Sequence, residues 1–321
     1  MRRPGCLAIG ALVLAVLAIF GVVHMWGGRG PLNRAISVQI APGSSLATVS
    51  LQLEKAGAIA SAERFRLLAR VFGSNAPVKA GEYRIPPRLS QGDILKVLQG
   101  TKTVQRYVVV PEGYPSVMVK QVLDRTAELT GAIEAPAEGS ILPDSYAYQR
   151  GETRAQMVAR MQEPMTRYLA QAWAKRKPGL VVKTPREALI LASIVEKETG
   201  KPAERRLVAA VYANRLRQGM MLQADPTIIY PITKGKPLGR KILLSEVRAV
   251  NAYNTYAMTG LPAGPICNPG RASIDAVLDP AASKALYFVA DGTGGHVFAD
   301  TLQQHNANVV KWRAYRLQHG I

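Results

Sequence analysis

The longest apolar run in the chain is "GCLAIGALVLAVLAIFGVV", Gly5 to Val23, 19 residues without a charge. As a helix rising about 1.5 Å per residue it spans roughly 28 Å, close to the hydrocarbon thickness of a bilayer. A secretory signal has a shorter apolar region, about 7–15 residues, followed by a small-x-small cleavage site. Here His24-Met25-Trp26 follows instead, and Trp26 suits an interfacial anchor. The pattern predicts an uncleaved single span, with a cleaved signal peptide as the competing reading. Arg2 and Arg3 precede the run, so the positive-inside bias places the N-terminus in the cytoplasm and the bulk of the chain across the membrane. Arg29 and Arg34 on the far side act against that orientation.

Beyond a short linker, "GGRGPLNRA", the pattern changes to short alternations and amphipathic stretches. "ISVQIAPGSS" alternates as a strand and stops at Pro42-Gly43; Ser45 can cap a helix from Leu46 to about Ala56. "SAERFRLLARVF" predicts a capped helix with Phe65, Leu67, Leu68 and Val71 on its apolar face. "AGEYRIP" reads as a strand, "SQGDILKVLQG" as a helix with a Ser90 cap and a Gly100 stop, and "VQRYVVVPEGYP" as a second strand. The pattern predicts a small α+β unit over about 36–110, and it resembles the LysM-like unit of cell-wall proteins.

From Val110 onward helical periodicity dominates. "TRAQMVARMQEPMTRYLAQAWAKRK" predicts a long helix whose Met157, Met161 and Met165 recur every four residues as core filling. "KTPREALILASIVEKETG" has a sharp start: Thr184 as N-cap, Pro185 at the first position, and Glu187 completing a capping box. Gly200 is the expected stop. Between them almost no polar face remains, so the helix is predicted to be buried. Glu196 and Glu198 therefore emerge at the end of a core helix. Apolar surroundings and the negative helix C-terminus both disfavour an ionised carboxylate there, which is how a general acid stays protonated near neutral pH. Periodicity does not choose between the two glutamates. Solvent exposure, or pairing with Arg205, Arg206 or Arg215, is the non-catalytic alternative.

Downstream, "MMLQADPTIIY" places Gln223, Asp225 and Thr227 around Pro226, a turn that presents polar groups or caps the next element. "NAYNTYAMTGLPAGPICNPG" is the densest polar–aromatic loop, with Tyr253, Asn254 and Tyr256. Tyrosine faces and asparagine amides match the apolar faces and hydroxyl rims of sugars. "ALYFVADGTGGHVFAD" predicts a hairpin, Leu286–Ala290 and His296–Ala299. Its Gly-rich turn lacks the lysine and helix of a phosphate loop. No His, Cys or carboxylate spacing suits zinc, no nucleophile elbow occurs, and neither a metal nor a cofactor is expected.

The remaining composition adds little. The chain has 321 residues, so more than one domain is expected. Its two cysteines, Cys6 and Cys267, do not suggest an internal disulfide, and the residues before Cys6 do not suit lipidation. The formal charge of +19 suits an anionic membrane, an acidic polymer or nucleic acid. No module for reading grooves or stacking bases accompanies it, so nucleic acid is not expected as a partner.

The segments "LILASIVEKET", "VYANRLRQGMMLQADPTIIY", "AYNTYAMTGLPAGPICNPG" and "LYFVADGTGGHVFADTLQQHN" together resemble the YceG-like endolytic murein transglycosylases, membrane-anchored enzymes that cut nascent peptidoglycan strands. They follow in that family's order over about 140–306, and "VVVPEGYP" and "ILPDSYAY" extend the likeness upstream. Ala263 stands where the family often has proline, and Cys267 is an unusual choice. The resemblance implies a lyase, with Glu196 as catalytic acid and then base. It implies a glycan groove lined by the matched loops, with Gln223, Asp225, Tyr253, Asn254 and Tyr256 as candidate glycan contacts. One carboxyl suffices for such chemistry because the muramic acid's own C6 hydroxyl replaces water. The expected fold is α+β: a stub, transmembrane anchor and linker over 1–30, a LysM-like unit over 31–110, and a mostly helical catalytic domain with a C-terminal hairpin over 111–321. The expected location is the inner membrane, single-pass, with the catalytic domain periplasmic. Peptidoglycan strands are the expected partner, and a peptidoglycan synthase is a candidate by analogy. A non-catalytic, membrane-anchored peptidoglycan-binding scaffold is the alternative.

Overall fold

The computed structural model describes residues 4–101 and 103–320, with side chains of the first helix described from Ile9 onward. The expectations for Arg2, Arg3 and the Cys6 side chain lie outside the described residues. The chain divides into two units, one through Arg106 and one from Tyr107.

In the first unit, α1 (Pro4–Gly27) carries a stretch, Ile9–Gly27, long and apolar enough to cross a membrane. Its last turn departs from expectation. Trp26 lies 6.0 Å from the Phe65 ring and 6.4 Å from the Phe72 ring, so it packs on the unit's own core. The linker likewise docks: Leu32 is buried, and its carbonyl accepts from the Arg88 amide. The unit continues as β1 (Ile36–Ile40), α2 (Leu46–Lys55), α3 (Ala62–Phe72), β2 (Gly81–Ile85) and α4 (Gln91–Gln99). Ser45, Ser61 and Ser90 each cap a helix through the side chain. Strands β1 and β2 are antiparallel, with Val38 opposite Tyr83 and Ile36 opposite Ile85, so one face turns inward. On α3, Phe65, Leu68 and Ala69 are buried, while Leu67 and Val71 are exposed. Leu67 follows Phe65 by two residues, about 200° around the helix, which puts it on the far side.

The second unit begins with a correction. Strand β3 (Arg106–Val109), read from the sequence as the end of the small unit, pairs with β4 (Ser145–Tyr148). Arg106 itself pairs with buried Glu82 on β2 and is the last residue of the first unit. Between the two strands lies α5 (Ser116–Arg125). Then come α6 (Arg154–Ala174), α7 (Pro185–Glu198), α8 (Arg205–Arg217), α9 (Asp225–Thr233), the single turn α10 (Leu244–Val247) and α11 (Arg271–Leu278). Strands β5 (Tyr287–Ala290) and β6 (His296–Ala299) pair antiparallel, and α12 (Leu302–His319) follows them. The pattern did not reveal α12 because none of its residues is buried; Thr301 and Gln304 form its capping box.

Helix α7 is the axis of this unit. Ala188 and every residue from Ile190 to Val195 are buried, packed by α6, α8, α9 and α11. Ser193 is tolerated there because its hydroxyl donates to the Ile190 carbonyl (2.7 Å) and accepts from the Ile266 amide (3.0 Å). The methionines divide their work: Met165 enters the α7 core, whereas Met157 and Met161 fill a second core with Val108, Val119 and Leu123. Thr184 caps α7 as expected, but Glu187 reaches the Lys183 amide instead of closing a capping box. The helix ends at Glu198 with an extended Thr199 as its C-cap, so Gly200 follows the cap as the expected stop.

Candidate active site

The end of α7 sends its two glutamates to different places. Glu196 turns toward the start of α11. Its Oε2 accepts from the Gly270 amide at 2.9 Å, and its Oε1 lies 3.8 Å from Arg205 Nη2, with a side chain only 6% exposed. Arg205 is also 3.6 Å from Glu112. Glu196 thus serves as a cap at the start of α11 and as an ion-pair partner of Arg205.

Glu198 turns into a cavity of about 310 Å³ lined by Tyr212, Arg215, Leu222, Gln223, Asp225, Tyr256, Phe288 and His305. Its Oε1 is enclosed and has no hydrogen-bond partner. Burial pushes the carboxyl up to about 7. The Tyr212 hydroxyl opposes the rise by hydrogen bonding, the nearby Asp225 charge adds to it, and Arg215 opposes it. A group that is half protonated near neutral pH can donate a proton in one step and recover it in the next.

The walls follow from local sequence. Tyr212 and Arg215 stand three residues apart on α8, which puts both on the face toward the end of α7. Arg215 is buried and held by the carbonyls of Leu286 and Leu222, each at 2.7 Å. Gln223 adopts a left-handed backbone (φ 52°), uncommon for a residue with a side chain, and its amide donates to the Thr255 carbonyl. Asp225 opens α9 and accepts from the Tyr256 hydroxyl at 2.6 Å. Thus the Asp-Pro turn is the start of a helix. Thr227 and Thr255, hydroxyls 2.8 Å apart, bind this helix start to the Tyr256 loop.

Of the residues singled out from the sequence, Gln223, Asp225 and Tyr256 gather around Glu198. Tyr253 and Asn254 do not line this cavity. The Tyr253 ring packs against Tyr230, 4.7 Å between centroids. Asn254 is fully buried, and its amide donates to the carbonyls of Glu246, Val247 and Ala249. Glu196 does not line the cavity either. The sequence reading passed over Arg215, Phe288 and His305 as site residues. Only the first carried a local signal, its position one turn from Tyr212 on a buried face.

A core helix that ends in an enclosed carboxyl, beside a second carboxylate and two phenols, makes this cavity a candidate general acid–base site. The chain belongs to the YceG-like family, whose model matches residues 38–311. It is 30% identical to the endolytic murein transglycosylase of Streptococcus pneumoniae serotype 2 (strain D39), over 93% of this chain; it spans 63% of the length of that relative. It is 27% identical to the endolytic murein transglycosylase of Bacillus subtilis (strain 168), over 84% of this chain and 83% of the relative. The crystal structure of a YceG-like protein from Listeria monocytogenes is similar over 85% of this chain and 98% of that one, with a TM-score of 0.54 and 29% identity.

Proposed function

We propose that the chain is a peptidoglycan lytic transglycosylase that cleaves the MurNAc–GlcNAc β-1,4 bond within nascent strands and leaves 1,6-anhydro-MurNAc ends. The names of the two relatives support the substrate class. The observation that carries the mechanism is the enclosed Glu198 carboxyl, raised to about 7 within the cleft. This reading moves the acid from Glu196, which the family likeness suggested, to Glu198. Glu196 is engaged with Gly270 and Arg205 outside the cavity, whereas Glu198 lines it and has a buried oxygen with no hydrogen-bond partner.

In this mechanism protonated Glu198 gives its proton to the glycosidic oxygen as the bond to the anomeric carbon breaks. The C6 hydroxyl of the same muramic acid attacks that carbon, and the Glu198 carboxylate takes the hydroxyl proton. The proton count closes on one residue, and water is not consumed. The intramolecular attack gains from proximity, which is worth up to about 7–11 kcal/mol in well-oriented cases. Gln223, Asp225 and Tyr256 orient the sugar, and Tyr212 positions the acid. Ordinary glycosidases instead use two carboxyl groups in separate roles with water.

The long apolar helix α1 supports a single-pass inner-membrane anchor with the N-terminus cytoplasmic and the enzyme periplasmic. Cutting nascent strands in that position would end glycan elongation, and the synthase that supplies the strand is the expected partner. The small unit retains the LysM-like reading as part of this proposal. The test is digestion of glycan strands in water enriched in heavy oxygen. Products with anhydro ends and no label support the proposal; labelled reducing ends would make the protein a hydrolase. Binding without cleavage would leave the scaffold reading.

A further inference from the structure

We propose that residues 232–250 form a built membrane-docking element, whose occupant is the surface of an anionic lipid bilayer. The segment leaves α9 and turns through α10 before rejoining the Asn254 loop. It places large apolar side chains in water: Leu244 is 62% exposed and Val250 87%, with Ile232 and Leu243 also exposed. The same segment carries five cations, Lys234, Lys236, Arg240, Lys241 and Arg248, against one acid, Glu246. Glu246 is already taken by Arg240 (2.5 and 2.9 Å). Among the described residues the other four cations have no carboxylate partner.

The exposure is not that of a slack loop. Glu246 Oε2 accepts from the Leu243 amide at 2.8 Å, which fixes the turn that carries both leucines. The Asn254 amide holds the carbonyls of Glu246, Val247 and Ala249 along the returning arm. At the base, Gly235 (φ 81°) lies so close to Pro115 and the Ile266 carbonyl that a Cβ there would come within 2.8 and 2.9 Å. Polar side chains thus pin the segment from within while its leucines face out. In water this is the reverse of the usual arrangement, and clustered exposed apolar residues mark interaction sites. Leucines projecting among unpaired lysines and arginines are what an anionic bilayer recognises. The apolar tips enter the headgroup boundary, and the cations meet the negative surface potential. The same chain carries a helix able to span a membrane, so a bilayer lies within reach of its own anchor.

Because Asn254 ties this segment to the loop bearing Tyr256, docking would also brace one wall of the Glu198 cleft. The docking inference does not depend on the transglycosylase reading. The test uses the full chain in nanodiscs, with Cys6 replaced by alanine and buried Cys267 retained. Leu244→Cys carries an environment-sensitive fluorophore, and Leu317→Cys, 86% exposed on α12, is the control. The expected result is blue-shifted emission at position 244 in phosphatidylglycerol discs, with stronger quenching by shallow than by deep acyl-chain spin labels. The shift should be absent in phosphatidylcholine discs and at position 317. It should also be lost when Lys236, Lys241 and Arg248 are changed together to glutamine. No shift at 244, an equal shift in neutral discs, or an equal shift at 317 would overturn the proposal.

Discussion

Replacing Glu198 by glutamine should make the protein more stable, not less, above neutral pH. In the folded state burial raises the carboxyl to about 7 from an ordinary 4.5. The native state therefore holds its proton more tightly than the unfolded chain does. Between these two values stability falls as pH rises, and above about 7 the full cost of the buried charge is present. At about 1.4 kcal/mol per pH unit the cost comes to about 3 kcal/mol. Glutamine carries no charge at any pH and keeps an oxygen for the Tyr212 hydroxyl. For a unit of this size about 3 kcal/mol corresponds to roughly 6–12 °C in Tm, an upper bound because the cavity can admit water. Thermal melts of wild type and Glu198→Gln should coincide near pH 4.5 and separate progressively to pH 8, with the variant the more stable and inactive. A variant that melts below wild type at pH 8, or by a margin independent of pH, would refute the burial argument. Glu196→Gln provides the opposite sign. It weakens the contact to Arg205 and the cap at Gly270, so a loss of about 1–2 kcal/mol is expected at neutral pH.

Further outcomes follow from the same contacts. Activity should fall as pH rises through about 7, because the acid must start protonated. Tyr212→Phe removes a contact that lowers the Glu198 pKa, so this alkaline limb should move up by about one pH unit with about a tenfold lower kcat. Asp225→Asn removes a charge that raises it, so the limb should move down; a profile unchanged in position would take Asp225 out of the site. Asn254→Ala orphans three carbonyl contacts and should cost about 2–4 kcal/mol in denaturant unfolding, with KM for glycan rising through disorder of the Tyr256 loop.

Much of this architecture was legible as pattern. Ser45, Ser61, Ser90 and Thr184 all cap the helices they announced, because capping is a local contest between a side chain and the next turn. The burial of α7 followed from its lack of a polar face. What failed was tertiary. Trp26 reads as an interfacial anchor until Phe65 and Phe72 are seen to receive it. Strand β3 looks like the partner of nearby strands, yet pairs with β4 some 40 residues on. The two glutamates at the end of α7 lie about 200° apart around the helix, on nearly opposite sides, and nothing local says which neighbour waits on each. Gly270 and Arg205 claim one, while the cavity claims the other. Arg215, Phe288 and His305 come from three elements whose convergence no short window contains.

The central claim is that Glu198, not Glu196, carries the proton. The most direct measurement is mass spectrometry of glycan strands digested by wild type, Glu196→Gln and Glu198→Gln, each first shown to be folded by its melt. The account predicts anhydro-muramyl ends from wild type and from Glu196→Gln, and none from Glu198→Gln. Anhydro ends from Glu198→Gln, with none from a folded Glu196→Gln, would contradict it.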